Sequence, residues 1–216
     1  MQPPPFEVVS GLEHTSHGAM ALALAAEFDD VELDDVEAAL FALAGQMRSI
    51  ADAPDEHQLA LVGDVLADEL FVTVRAASTL DDLLFHRVAI SGRGQGMVCA
   101  LVAVEAARIA GVPLGIVASK GGVYVAHARA SAPLVLVPTR GWLAIDAREL
   151  DDPDLAWHCP HESAGIVLGI VLSRARRIGL LDVQLRAAQM CMALPVDEDE
   201  HDKLKLQLAH VRARLN

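Results

Sequence analysis

The chain has 216 residues, 53% of them hydrophobic and only 4% aromatic, enough for a folded protein with a substantial apolar core. A formal net charge of −13 excludes recognition of nucleic acid through a basic surface and disfavours binding to anionic membranes. Three widely spaced cysteines, Cys99, Cys159 and Cys191, an odd number, fit reduced thiols in a cytoplasmic protein rather than a disulfide framework.

The start, "MQPPPFEVV", has neither a basic nor a long apolar segment, so no secretory leader is expected, and residues 1–16 read as a flexible tail. Residues 18–28, rich in alanine and leucine, read as a helix. In 34–52 the spacing of Val36, Leu40, Leu43, Met47 and Ile50 gives one apolar stripe, with Asp34 and Asp35 at the start where carboxylates favour a helix dipole. A further helix starts at Pro54, with Leu59, Val62, Leu66 and Leu70 as its stripe. "STLD" at 78–81 has capping-box form. The other acidic pairs and the run Asp197-Glu198-Asp199-Glu200 read mainly as helix starts.

The pattern changes after Gly94. Residues 97–110 are almost continuously apolar, with Glu105 and Arg108 the only charges, as expected of a centrally buried helix. Four short strands are predicted after it, at 114–119, 123–128, 133–139 and 141–146, separated by glycine- and proline-containing turns. Helices return at 162–178, 181–194 and 198–214. The apolar run at 164–172 is too short to span a bilayer, and it leaves surface for a homo-oligomer. This order gives an α+β fold: a helical N-terminal region, a central buried helix on a small antiparallel sheet, and a helical C-terminal tail. The expected division is 17–160 and 161–216.

A helix N-terminus acidifies a nearby thiol. Cys99, His127 and Asp146 resemble in their order the arrangement of papain-like and transglutaminase-like folds, a cysteine at the start of a buried helix, a histidine on the first strand of the following sheet and an Asp or Asn on the next, and so are candidates for a nucleophile, a base and a carboxylate that fixes the base. The alternative for Cys99 is a small buried hydrophobe, and for His127 a hydrogen-bonded strand histidine on the face of Val123 and Val125. His158, Cys159 and His161 are metal-ligand types, but no second pair completes a structural site; neither metal nor cofactor is expected. "SGRGQG" at 91–96 is glycine-rich before a helix, a context that can cradle an anion, yet it lacks the lysine and hydroxyl ending of a P-loop. Glu27 and Glu105 stand on otherwise apolar helices, with Arg93 or Arg108 as possible partners.

Taken together, "ALALAAEFDDVELD", "STLDDLLFHRVAISGRGQGMVCALVAVEAARIAGVPLGIV", the Gly121-Gly122 strand, the Gly141, Trp142 and Asp146 strand and the helical tail resemble the SirB family, a bacterial transglutaminase-like branch. The central helix keeps that family's Arg93, Gly94, Glu105, Ala107, Arg108, Gly111 and Pro113. The resemblance implies a transglutaminase/papain-like core, with a tail similar to a tetratricopeptide-like helix pair. It places the cysteine of active relatives at Gly96 and the histidine at Gly122, so it implies a degenerate site, with Arg93, Glu105 and Trp142 around the cleft. The function it implies is binding of a protein or peptide without catalysis. The alternative is a cysteine hydrolase or acyltransferase using Cys99, His127 and Asp146.

Overall fold

The computed structural model describes residues 2–73, 79–152, 154–195 and 198–213. The fold is α+β, with a five-stranded antiparallel sheet between helical segments of the chain. Contacts divide it into two compact units, Glu32–Cys159 and Gln2–Val31 with Pro160–Asn216. The helix near residue 20, assigned above to the 17–160 segment, therefore groups with the C-terminal helices.

The Gln2–Val31 and Pro160–Asn216 unit contains α1 (Phe6–Ser10), α2 (His17–Ala25), α7 (Pro160–Ile178), α8 (Leu181–Ala193) and α9 (Glu198–Ala213). The segment expected as a flexible tail over 1–16 instead carries helix α1, with Phe6, Val9 and Ser10 buried. Phe6 is fully buried, and its backbone N–H donates to Glu27 Oε1 at 3.2 Å. Arg186 on α8 holds the same carboxylate through its Nε at 2.9 Å and reaches Glu7 Oε1 at 3.0 Å. The α7–α8 turn closes with Gly179 at φ +77° and the Leu180 N–H on Ala175 O at 3.0 Å, a six-to-one hydrogen bond typical of a glycine-terminated helix. Ala164, Val167, Leu168 and Val171 of the 164–172 run are buried, so that stripe leaves little surface for self-association. Among the described residues no helix is long and apolar enough to cross a membrane.

In the Glu32–Cys159 unit, α3 (Leu33–Met47), α4 (Asp55–Glu69), α5 (Phe85–Ser91) and α6 (Gly96–Ala110) accompany two sheets. The expected helix through 52 ends as an α-helix at Met47 and tightens into a 3-10 turn over Arg48–Asp52. The expected Ser78 cap lies outside the described residues. Helix α6 is the centre: every residue from Gly96 to Ala107 is buried, as its uninterrupted apolar sequence requires. The Gln95 side chain caps its first turn by accepting from Met97 N–H at 2.7 Å, and Gly111 ends it at φ +85°.

A two-stranded parallel sheet pairs β1 (Phe71–Val72) with β2 (Arg93–Gly94). The larger sheet has the order β6-β5-β4-β3-β7, comprising β3 (Leu114–Ser119), β4 (Gly122–His127), β5 (Leu134–Val137), β6 (Leu143–Asp146) and β7 (Ala156–Trp157). Alternation sorts its residues onto two faces. One carries Val117, Tyr124, Ala126, Val135, Val137 and Ile145, a buried cluster that holds no helix residue and is covered by Ala147, Leu150 and Leu155. The other carries Ile116, Val125 and Leu136, all fully buried, with α4 packed so closely that a Cβ on Gly63 would stand 2.8 Å from Leu136 Cδ2.

Candidate functional site

Cys99 lies one turn inside α6, its N–H bonded to Gln95 O at 2.9 Å. Its thiol is fully buried and faces Phe71 O, with Sγ 3.9 Å from that oxygen. Burial, and then the Asp82 charge, push the thiol up to about 12. Backbone hydrogen bonding at Gly94 and Cys99 acts in the opposite direction but is outweighed. At neutral pH the thiolate fraction is then on the order of one in 10⁵.

His127 ends β4, opposite Leu114, the first residue of β3. Only a three-residue turn separates β3 from the C-terminal end of α6, and Ala128 N–H bonds back to Pro113 O within that turn at 2.8 Å. Cys99 lies about 16 Å up the helix axis from Ala110, at 1.5 Å per residue. His127 therefore stands at the far end of α6 from Cys99.

The imidazole is also fully committed. Its Nδ1 accepts the Arg129 and Ala130 N–H groups at 3.2 and 2.9 Å. The proton is therefore on Nε2, which donates to Gln58 Oε1 at 3.0 Å. Gln58 on α4 is buried as well, and its amide donates to Ala53 O at 2.8 Å and Ala51 O at 3.3 Å. Desolvation holds His127 below its ordinary pKa, against the opposing pull of Asp55.

Asp146 pairs with Leu134 on β5, and the β4–β5 register runs Val125 to Leu136 and Ala126 to Val135. The next rung puts Leu134 between Asp146 and His127, two strand spacings or roughly 10 Å apart. Arg148 occupies both Asp146 oxygens, with Nε on Oδ1 at 2.9 Å and Nη2 on Oδ2 at 2.5 Å. Hydrogen bonding to Arg148 draws the carboxyl down to about 2. The structure thus brings none of the three together.

Gly96 and Gly122 likewise do not share a cavity wall. A Cβ at Gly96 would meet Thr139 and Val72 methyls at 3.6 Å. A Cβ at Gly122 would meet Tyr124 Oη at 3.3 Å, on the sheet face opposite that of Val123, Val125 and His127. Glu105 is buried and bonded to Arg108 at 2.7 Å. Trp142 is 2% exposed, and its indole N–H donates to Leu70 O at 2.7 Å. Neither lines an open cleft. The glycines of "SGRGQG" have steric reasons: Gly92 caps α5 at φ +64°, and a Cβ on Gly94 would run into the Val88 side chain. Among the described residues no three His, Cys, Asp or Glu side chains are placed to hold a metal. His161 sits instead with its Nε2 on Ser10 O at 3.1 Å.

Of the expected cleft residues Arg93 does line one. A cleft of about 590 Å³ is bounded by Phe71, Asp81, Asp82, Arg87, Ile90, Ser91 and Arg93. Phe71 and Arg93 are register partners on β1 and β2, so they project from one face. Arg87, Ile90 and Ser91 form one stripe of α5, three and four residues apart. Sequence reading missed Phe71, Arg87 and Ile90. The 87, 90, 91 spacing was a visible signal, but two-residue strands leave no periodicity to read.

Comparison with protein-family models, with curated proteins and with solved structures found no match for this chain.

Proposed function

We propose that this chain is a non-catalytic protein of the transglutaminase-like SirB type that acts by binding a protein or peptide. The observation that carries the reading is the state of Cys99: a fully buried thiol held near a pKa of 12, with the candidate base at the other end of its helix. Nucleophilic catalysis needs a thiolate within hydrogen-bond reach of a base. His127 and Asp146 are instead spent on Gln58 and Arg148. The SirB-type resemblance supplies the binding role.

The test is iodoacetamide labelling of the native protein at near-neutral pH, with peptide mapping of each cysteine. Exposed Cys159 should label readily, and Cys99 only after denaturation. Native labelling of Cys99 faster than free cysteine would overturn the reading in favour of a cysteine hydrolase or acyltransferase.

A further inference from the structure

The cleft at Phe71 and Arg93 combines features that select a ligand. Phe71 and Ile90 are large apolar side chains left 55% and 51% exposed inside a concavity rather than on a convex surface. A guanidinium from β2 and another from α5 border them. Among the described residues no carboxylate pairs with Arg93. Its fork geometry suits a carboxylate bound through two hydrogen bonds. Asp81 and Asp82 share the cleft, and Asp82 Oδ2 already accepts from Thr79 N–H and Oγ1. Two carboxylates in the wall repel a polyphosphate or any other polyanion, and exposed Asp81 calls for a hydrogen-bond donor. An extended peptide meets all of these demands at once. An acidic side chain reaches Arg93, a neighbouring apolar side chain covers Phe71 and Ile90, and backbone N–H groups further along the segment reach Asp81. About two or three residues, at roughly 3.3 Å each, span the Arg87–Ser91 stripe.

We infer that the Phe71–Arg93 cleft binds an extended peptide segment in which an internal acidic residue adjoins a bulky apolar one. This rests on the peptide-binding reading above and adds its site and its ligand chemistry. The geometry assigns Arg93 to the carboxylate and Phe71 with Ile90 to the apolar side chain.

The test uses fluorescence anisotropy with a labelled, C-terminally amidated hexapeptide carrying Leu-Glu-Leu at its centre. Replacing the central Glu by Gln keeps one acceptor oxygen for Arg93 but removes the charge and the second, and should weaken binding to the native protein by about tenfold, the worth of one of the two charge-assisted hydrogen bonds. Arg93→Ala should remove that difference, Phe71→Ala should weaken both probes, and Arg93→Glu should favour a Leu-Lys-Leu probe over the acidic one. Both side chains are exposed, so circular dichroism should show unchanged folding. Equal binding of the Glu and Gln probes, binding unaffected by Arg93→Ala, or tighter binding of a probe with a free C-terminus overturns the assignment. A random hexapeptide pool separates the two levels. Retention of the pool without binding of the acidic probe overturns the cleft alone, and failure to retain any of the pool overturns peptide binding itself.

Discussion

Gly63 and Gly45 both sit inside helices, yet replacing each by alanine should have opposite effects. On α4, a Cβ at Gly63 would stand 2.7 Å from Trp142 O and 2.8 Å from Leu136 Cδ2. The carbonyl cannot easily retreat. Trp142 has φ +64°, its N–H bonds Val137 O at 3.1 Å, and its indole is anchored on Leu70 O. Overpacking of this kind costs about 1–3 kcal/mol, and contact with a fixed backbone oxygen belongs to the upper half of that range. The gain in helix propensity from Gly to Ala offsets about 1 kcal/mol. Gly63→Ala should therefore destabilise by about 1–2 kcal/mol. At Gly45 on α3 a Cβ meets nothing within 4 Å, so the propensity gain stands alone and Gly45→Ala should stabilise by about 0.5–1 kcal/mol. Urea denaturation followed by far-ultraviolet circular dichroism should move the midpoint down by roughly 0.5–1 M for the first and up for the second. A rise in midpoint for Gly63→Ala would refute the argument that α4 is pressed onto the β5–β6 turn.

The buried His127 and the half-buried Glu27 each give a further expected outcome. His127 is held below its ordinary value of 6.5, so the unfolded chain takes up its proton first; the stability it contributes is complete above 6.5 and is lost as pH falls from there through the folded value. Protonating Nδ1 also sets a proton against the Arg129 and Ala130 N–H groups, and His127→Gln should flatten the fall of the urea midpoint below pH 6.5 relative to the native protein. In the other unit, Glu27→Ala removes the acceptor for Phe6 N–H and the partner of Arg186, and should speed limited proteolysis within the first sixteen residues while leaving the rate at sites in Glu32–Cys159 unchanged.

The sequence made the regular elements legible where periodicity was long. The α6 run, the stripes of α3 and α4 and the alternation of β3 and β4 all set their elements to within a few residues. Helix α1 escaped because five residues carry no usable period; it exists because Phe6 is buried and its N–H is met by a residue twenty-one positions away. The candidate triad shows the limit of spacing most clearly. The order Cys99, His127, Asp146 was legible, and so was the face on which His127 stands, but not its position along the strand relative to α6. Five residue steps along the strand from Gly122 to His127 carry a side chain about 17 Å, from one end of a helix to the other. Gln58 and Arg148, the residues that occupy His127 and Asp146, come from a contact 69 positions away and from a local turn. Neither leaves a mark on composition.

The burial of Trp142 has an optical consequence. The chain has two tryptophans and one tyrosine, and all three, Trp142, Trp157 and Tyr124, lie within Glu32–Cys159. Intrinsic fluorescence excited near 295 nm therefore reads that unit alone, with one indole sealed at 2% exposure and one open at 54%. Gln2–Val31 and Pro160–Asn216 are dark at that wavelength, although they contribute strongly to the helical signal. Fluorescence and circular dichroism recorded on one sample thus assign each unfolding step to its unit with no added label.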